Sequence, residues 1–155
     1  MNIEFLLNGR KASAAIEADD SLYTVLRALG MYSVKCGCET TNCGLCTVHM
    51  DGKAVLSCSV PAARCAGHEI VTLEGLQDEA KRLGGCLSDE GAEQCGFCAP
   101  GMMMNVFALA KENPHASGDE IDAFLAGNLC RCSGYVSQRR AIQKYLAMVL
   151  EEARA

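Results

Sequence analysis

Cysteine is the residue whose number and spacing promise chemistry. The 155-residue chain carries 11 of them. Cys36, Cys38, Cys43, Cys46 and Cys58 form one group, Cys95, Cys98, Cys130 and Cys132 a second, and Cys65 and Cys86 lie between. An odd total leaves at least one thiol over in any closed disulfide framework. The opening Met1-Asn2-Ile3-Glu4-Phe5 lacks the basic-then-apolar run of a secretory signal. The expected setting is therefore reducing and cytoplasmic, where dense cysteine means metal or redox chemistry rather than disulfides.

In the first group, Cys38-x4-Cys43-x2-Cys46 is followed by Cys58 twelve residues on. This is the spacing of a plant-type [2Fe–2S] ferredoxin. Four thiolates on a core of two ferric ions and two sulfides leave a formal charge of roughly −2, so the core needs backbone N–H donors and partial burial. Gly37 and Gly44 are placed to turn amides inward, since glycine tolerates positive φ. Cys58 is expected to end a strand and close the site from the scaffold side. Zinc is the alternative, although it favours C-x2-C on both sides and only Cys43 and Cys46 form such a pair. Cys36 would give x6 and reads as a neighbour, not a ligand. In the second group, Cys95-Gly-Phe-Cys98 and Cys130-Arg-Cys132 each precede a predicted helix. Free N–H groups and the positive dipole end favour thiolates there. Two such pairs facing each other make a four-thiolate cage, for which a structural zinc is again the alternative.

The remaining reactive residue types read as structure. Met102, Met103 and Met104 suit core packing. His49, His68 and His115 share no spacing with a cysteine pair, and no two histidines are placed for Rieske-type ligation. Cys65 and Cys86 read as small buried apolar residues, and Arg131, Arg139 and Arg140 as solvated surface. There is no dinucleotide-binding glycine fingerprint, no P-loop and no triad, so the chain does no bond-making chemistry of its own. A formal charge of −5 offers no nucleic-acid surface. No window approaches 18 uncharged apolar residues, so no membrane span is expected.

The elements that must position these thiols change character along the chain. Residues 3–8 and 11–17 read as a hairpin around Gly9. Ser21 caps a helix over about 21–29, whose Leu22, Val25, Leu26 and Leu29 form one stripe, with Gly30 just past its end. Residues 33–46 read as an irregular loop. Thr47 to Cys58 reads as a hairpin with Asp51-Gly52 at its turn, and 68–73 as one more strand. From residue 76 the pattern is helical. Pro100 suits the first turn of a helix to about Lys111. Ser117-Gly118-Asp119-Glu120 is a capping box for a short helix to Ala126, and 134–152 forms the last helix. A boundary near Glu74-Gly75-Leu76 separates residues 1–75 from 76–155. Each half is small for a core alone, a need that a metal staple in each would meet.

Taken together, Cys95-Gly-Phe-Cys-Ala-Pro-Gly101 and Asn128-Leu-Cys-Arg-Cys-Ser-Gly-Tyr135 resemble the signature of the iron–sulfur subunit of the molybdenum hydroxylases, the xanthine dehydrogenase/aldehyde oxidoreductase family. Val34 to Cys38, Cys46-Thr-Val48, Asp51-Gly52, Ser57-Cys58 and Thr72-Leu-Glu-Gly-Leu76 resemble its N-terminal cluster loop and inter-domain segment, so the likeness spans nearly the whole chain. The resemblance implies an α+β chain: a β-grasp ferredoxin-like domain followed by an all-α four-helix bundle domain. It implies two [2Fe–2S] clusters, one on Cys38, Cys43, Cys46 and Cys58, the other on Cys95, Cys98, Cys130 and Cys132. It implies an electron-transfer role, from molybdopterin on a large partner subunit to FAD on a medium one, in a dimer of heterotrimers. Gln94 and Cys132 would lie beside the molybdopterin, and substrate choice would lie with the large subunit. Where the family has Gly, this chain has Thr41; if that position needs positive φ, a β-branched residue is strained there. A free-standing two-cluster ferredoxin and a zinc-stapled interaction module are the rival functions.

Overall fold

A computed structural model describes residues 1–154. The N-terminal half builds a five-stranded sheet in the order β2-β1-β5-β3-β4. Strands β1 (Asn2–Leu7) and β2 (Arg10–Ala15) pair antiparallel. Ile3, Phe5 and Leu7 alternate inward, as the twofold side-chain period of a strand dictates. The connecting Asn8 and Gly9 have φ of 51° and 76°, the two positive values that a tight hairpin requires. Strand β3 (Thr47–Met50) pairs antiparallel with β4 (Lys53–Leu56). Asp51 and Gly52 take φ of 49° and 79° at that turn. Strand β5 (Glu69–Val71) lies between β1, to which it is parallel, and β3, to which it is antiparallel.

Helix α1 (Leu22–Ala28) closes one face of the sheet, with the Ser21 hydroxyl accepting from the Thr24 N–H. Its Leu22 and Leu26 pack with Val48 and Ile70 in one core. Gly30, at φ +83°, ends it as expected. Strands β1 and β2 span 2–7 and 10–15 rather than 3–8 and 11–17, and two further strand boundaries differ for a visible reason. Cys58 does not end β4: it lies in a single 3-10 turn, Ser57–Ser59. The Ser57 hydroxyl donates to Cys46 O at 2.8 Å and so draws the chain off the ladder beside Cys46. The strand over 68–73 shortens to β5 because Thr72 N–H leaves the sheet for Asn8 Oδ1, 2.8 Å away.

The C-terminal half contributes α2 (Gln77–Asp89), α3 (Ala99–Glu112), α4 (Gly118–Phe124) and α5 (Val136–Glu152). Leu83, Leu87, Met104, Val106, Ile121 and Ile142 form its core. Pro100 sits in the first turn of α3, and the Ser117/Glu120 capping box of α4 forms both of its reciprocal bonds. Helix α4 ends at Phe124, short of Ala126. Helix α5 starts at 136 rather than 134, because Gly134 and Tyr135 both have φ of 71°, outside the helical region. Cys65 and Cys86 are buried, as are Met102, Met103 and Met104. The methionine run is buried on every side because α3 lies between the sheet and the other helices. Met104 O accepts from Nε2 of the buried His49 on β3, 2.6 Å away. Arg139 and Arg140 are not free: they pair with Asp122 and Glu90.

Two further contacts fix the junction and the seam between the halves. Glu74, in the segment joining them, accepts from Ser33 N–H (2.8 Å), Ser33 Oγ (2.6 Å) and Thr72 Oγ1 (2.6 Å). It thereby holds the start of the 33–46 loop. At the other end of that loop, Gly101 of α3 lies so close to Gly44 and Leu45 that a Cβ on it would sit 2.8 Å from Leu45 Cα and nearer still to Gly44 O.

Two outcomes are expected. Gly101→Ala should cost about 1–3 kcal/mol, the range of overpacking in a tight contact. Gly85→Ala, in mid-α2 with nothing within 4 Å, should stabilise by ~0.5–1 kcal/mol. Urea denaturation of both variants checks the contrast. For Glu74, burial pushes the carboxyl pKa up, but the Ser33 and Thr72 donors outweigh it and hold the value low. A depressed carboxylate contributes stability above the unfolded value, about 4.3, and loses it as pH falls through the folded value. Glu74→Gln should therefore destabilise at pH 7, and the gap to the native chain should close below about pH 4, as read from unfolding midpoints across that range.

Candidate metal centres

The eight cysteines singled out by spacing come together as two quartets, and within each quartet they are paired. In the first, Cys46 and Cys58 lie with their sulfurs 3.3 Å apart, and Cys38 and Cys43 are neighbours whose thiols shift one another's pKa. In the second, the sulfurs of Cys95 and Cys132 are 3.6 Å apart, and Cys98 and Cys130 are neighbours whose thiols shift one another's pKa. Among the described residues no three Cys, His, Asp or Glu side chains are grouped as a single ion would need. Two pairs of sulfurs are what a two-iron core takes, one pair on each iron. The donor set therefore fits a [2Fe–2S] core at both places.

The first quartet is built by the 33–46 loop and the turn after β4. Cys43 and Cys46 are buried, while Cys38 is half-exposed. The nearby amides of Asn42 and Thr40, then the Cys43 thiol and amide, bring the pKa of Cys38 down to about 6. Amides of Leu45 and Gly37 serve Cys43, though burial dominates and pushes that thiol up. Cys58 is pushed up to about 12 by burial, then by the neighbouring Cys46. The loop thus carries a ring of fixed N–H donors suited to charged sulfur. Gly37 and Gly44 divide the labour differently from expectation. Only Gly44 has positive φ, +75°. Gly37 instead leaves room, since a Cβ there would lie 2.9 Å from Leu45 Cδ2 and 3.5 Å from Cys43 Sγ. Cys36 is exposed and its thiol donates to Cys38 O at 2.9 Å. Thr41 has φ +56°, the left-handed region anticipated for that position.

The second quartet joins two turns. Cys98 is the N-cap residue of α3. Cys130 and Cys132 lie in the turn before α5, and Cys132 is as far from α5 as Cys95 is from α3, so of the four only Cys98 sits at a helix start. The reason is the Gly134–Tyr135 kink, which also brings the Tyr135 hydroxyl to accept from Cys130 N–H at 2.9 Å. Burial pushes Cys130 up, but the Ser133 hydroxyl (3.2 Å) and Ser133 N–H (3.4 Å) outweigh it and bring the thiol down to about 7. Burial pushes Cys98 up to about 11. The Phe97 N–H and the Cys132 thiol lower Cys95. Cys95 and Cys132 are exposed and are flanked by four exposed apolar side chains: Phe97, Leu129, Tyr135 and Val136. Gln94 is exposed and lies with all four thiols on the wall of one small cavity.

The quartets meet through their main chains. Leu129 N–H donates to Cys43 O at 2.9 Å. Asn128 Nδ2 donates to Gly44 O at 3.3 Å, and Asn128 Oδ1 accepts from Asn105. A Cβ on Gly44 would lie 2.5 Å from both Asn128 Nδ2 and Gly127 O. Asn128 lay inside a motif recognised from sequence, but its role in joining the loops did not follow from the motif. The burial of Gln138 on α5 also escaped pattern reading, since a polar residue in an exposed-looking first turn carries no periodic signal.

Thr41 supplies a test of the loop. A non-glycine residue in the left-handed region costs about 1–2 kcal/mol, and its hydroxyl bonds only the adjacent Thr40 O. Thr41→Gly should slow iron loss from the first site to a chelator, leaving the second site at its native rate. The measurement is the decay of each site's visible circular dichroism; faster loss at the first site would refute the strain.

Comparison with known proteins gives a consistent result. Residues 5–71 match the family model described as a 2Fe-2S iron-sulfur cluster binding domain, and residues 72–143 the one described as a [2Fe-2S] binding domain. The chain is 38% identical to the nicotinate dehydrogenase small FeS subunit of Eubacterium barkeri, over 92% of this chain and 93% of that one. It is 44% identical to the xanthine dehydrogenase iron-sulfur-binding subunit of Escherichia coli, over 87% of each. Among solved structures, quinoline 2-oxidoreductase from Pseudomonas putida superposes with a TM-score of 0.91 at 34% identity, covering 100% of this chain and 98% of that chain.

Proposed function

The chain belongs to the family of small iron–sulfur subunits of the molybdenum hydroxylases, and from that membership we propose how its residues serve the family's role. It is the electron-transfer subunit of a multi-subunit oxidoreductase, taking electrons from a molybdopterin subunit and delivering them to an FAD subunit. When bound, two [2Fe–2S] clusters supply one-electron storage. Cys38, Cys43, Cys46 and Cys58 hold the N-terminal one; Cys95, Cys98, Cys130 and Cys132 hold the C-terminal one. The neighbouring of Cys38 with Cys43, Cys46 with Cys58, Cys95 with Cys132 and Cys98 with Cys130 supports this assignment.

The observation that carries the reading is the hydrogen bond from Leu129 N–H to Cys43 O. It links a residue of one quartet to the neighbour of a residue of the other. A through-bond path between the sites would run from Cys130 Sγ back along Leu129, across that one hydrogen bond, and through the Cys43 carbonyl, Cα and Cβ to Cys43 Sγ. The glycines at 44 and 101 let the loops approach closely enough for that bond. The chain's residues thus hold two charged sites at fixed separation, surround each with N–H donors and exclude water from Cys43 and Cys46.

The finer architecture proposed is a β-grasp domain over residues 1–75 and a four-helix bundle of α2 to α5 over 76–155; the two separate cores support it. The exposed apolar frame around Cys95 and Cys132 supports docking of the large molybdopterin subunit on that side, with Gln94 and Cys132 nearest the pterin. It also favours a resident subunit over a free-standing carrier. The medium FAD subunit then covers the Cys38 side, and the assembly is a cytoplasmic dimer of heterotrimers. No helix among the described residues is long and apolar enough to cross a membrane.

Low-temperature EPR of the dithionite-reduced complex tests the ligand sets. Two distinct [2Fe–2S] signals are expected, with about four iron and four sulfide per chain. Cys43→Ser and Cys98→Ser should each abolish a different signal. A variant that keeps both signals would falsify its ligand assignment, and zinc in place of iron would overturn the reading.

A further inference from the structure

Gln138 is a buried polar side chain that the assignments above leave without a role. It lies in the first turn of α5 and is only 6% exposed. Its Nε2 is 3.9 Å from Cys98 Sγ, within hydrogen-bond range for sulfur. It lines the same small cavity as Cys95, Cys98, Cys130 and Cys132. Its orientation is fixed by chemistry, because a charged sulfur only accepts, so the amide must present its NH2 rather than its oxygen. Every other hydrogen-bond donor to a sulfur of this quartet comes from a turn that itself carries the cysteines: Phe97, Cys132, and Ser133 through its amide and hydroxyl. Among the described residues, Gln138 is the one donor that reaches the site from within a helix rather than from the cysteine-bearing turns.

We propose that Gln138 is a positioning residue that sets the reduction potential of the C-terminal cluster through this bond. The inference rests on the ligand assignment of the preceding subsection. Reduction adds one electron to the core and makes its sulfurs more negative. A donor aimed at Cys98 Sγ stabilises the reduced form more than the oxidised one and so raises the potential. Burial strengthens the effect, since no water competes for the sulfur. The direction suits an electron relay, because a higher potential makes this cluster the better acceptor for electrons leaving the molybdopterin side.

The test is a redox titration of the intact complex, with each cluster followed by its own EPR signal. Gln138→Met fills nearly the same volume without a donor. At a fixed solution potential, its reduced-to-oxidised ratio for the C-terminal cluster should fall about tenfold, equivalent to ~59 mV for a one-electron couple. The N-terminal cluster should not move. Gln138→Asn keeps an amide but is one methylene short of the sulfur, and should lower the potential in the same direction. An unchanged potential in Gln138→Met with both signals intact overturns the inference and leaves the ligand set standing. So does a native potential in Gln138→Asn, which would make general polarity the cause, or an equal shift at both clusters, which would make the effect global. A native complex lacking the C-terminal signal overturns the ligand set and this inference with it.

Discussion

Contact between two loops, main chain against main chain, organises this molecule. The turn that carries Cys43 and the turn that leads to Cys130 share the Leu129-to-Cys43 hydrogen bond and the Asn128-to-Gly44 hydrogen bond. Both depend on positions where no side chain fits, Gly44 and Gly101. Backbone polar groups withdrawn from water must find partners, and here each loop supplies the other's. The sheet, α1 and the four later helices serve to present these loops back to back. Glu74 and His49 reinforce the arrangement at two further places along the seam.

The same contact explains the uneven exposure of the thiols. Cys43 and Cys46 face the seam and the β-side core and are buried, whereas Cys95 and Cys132 face outward. Thiols of one residue type thus receive different surroundings. Where burial dominates, as at Cys58 and Cys98, the neutral thiol is favoured; where amide and hydroxyl donors dominate, as at Cys38 and Cys130, the charged sulfur is favoured. Each site therefore joins a sheltered side to a donor-rich side.

Much of this was legible in the sequence because the signals were local. Asn8-Gly9 and Asp51-Gly52 mark their hairpins, Ser21 and Ser117 their helix starts, and the cysteine spacings their two quartets. The glycine that the motif calls for at Thr41 raised the question of positive φ there, and the backbone takes it. What was not legible depended on distant partners. Cys58 leaves β4 because Ser57 bonds Cys46, eleven residues back. Thr72 leaves β5 for Asn8, sixty-four residues away. The late start of α5 follows from Tyr135, a residue whose type gives no hint of a left-handed backbone. The pairing of thiols within each quartet, the glycine seam and the burial of Gln138 are products of packing, which spacing along a chain does not encode.

The glycine seam bears on how such a chain changes over generations. Two halves with separate cores invite exchange, since either could be traded for an equivalent module without disturbing the other's interior. The seam removes that freedom. A substitute first half must bring a residue without a side chain at position 44, and a substitute second half one at position 101, with an asparagine at 128 to meet the opposing carbonyl. Neither half can drift at these places unless the other drifts with it. The seam thus constrains the chain as one unit, although its hydrophobic interior is built as two.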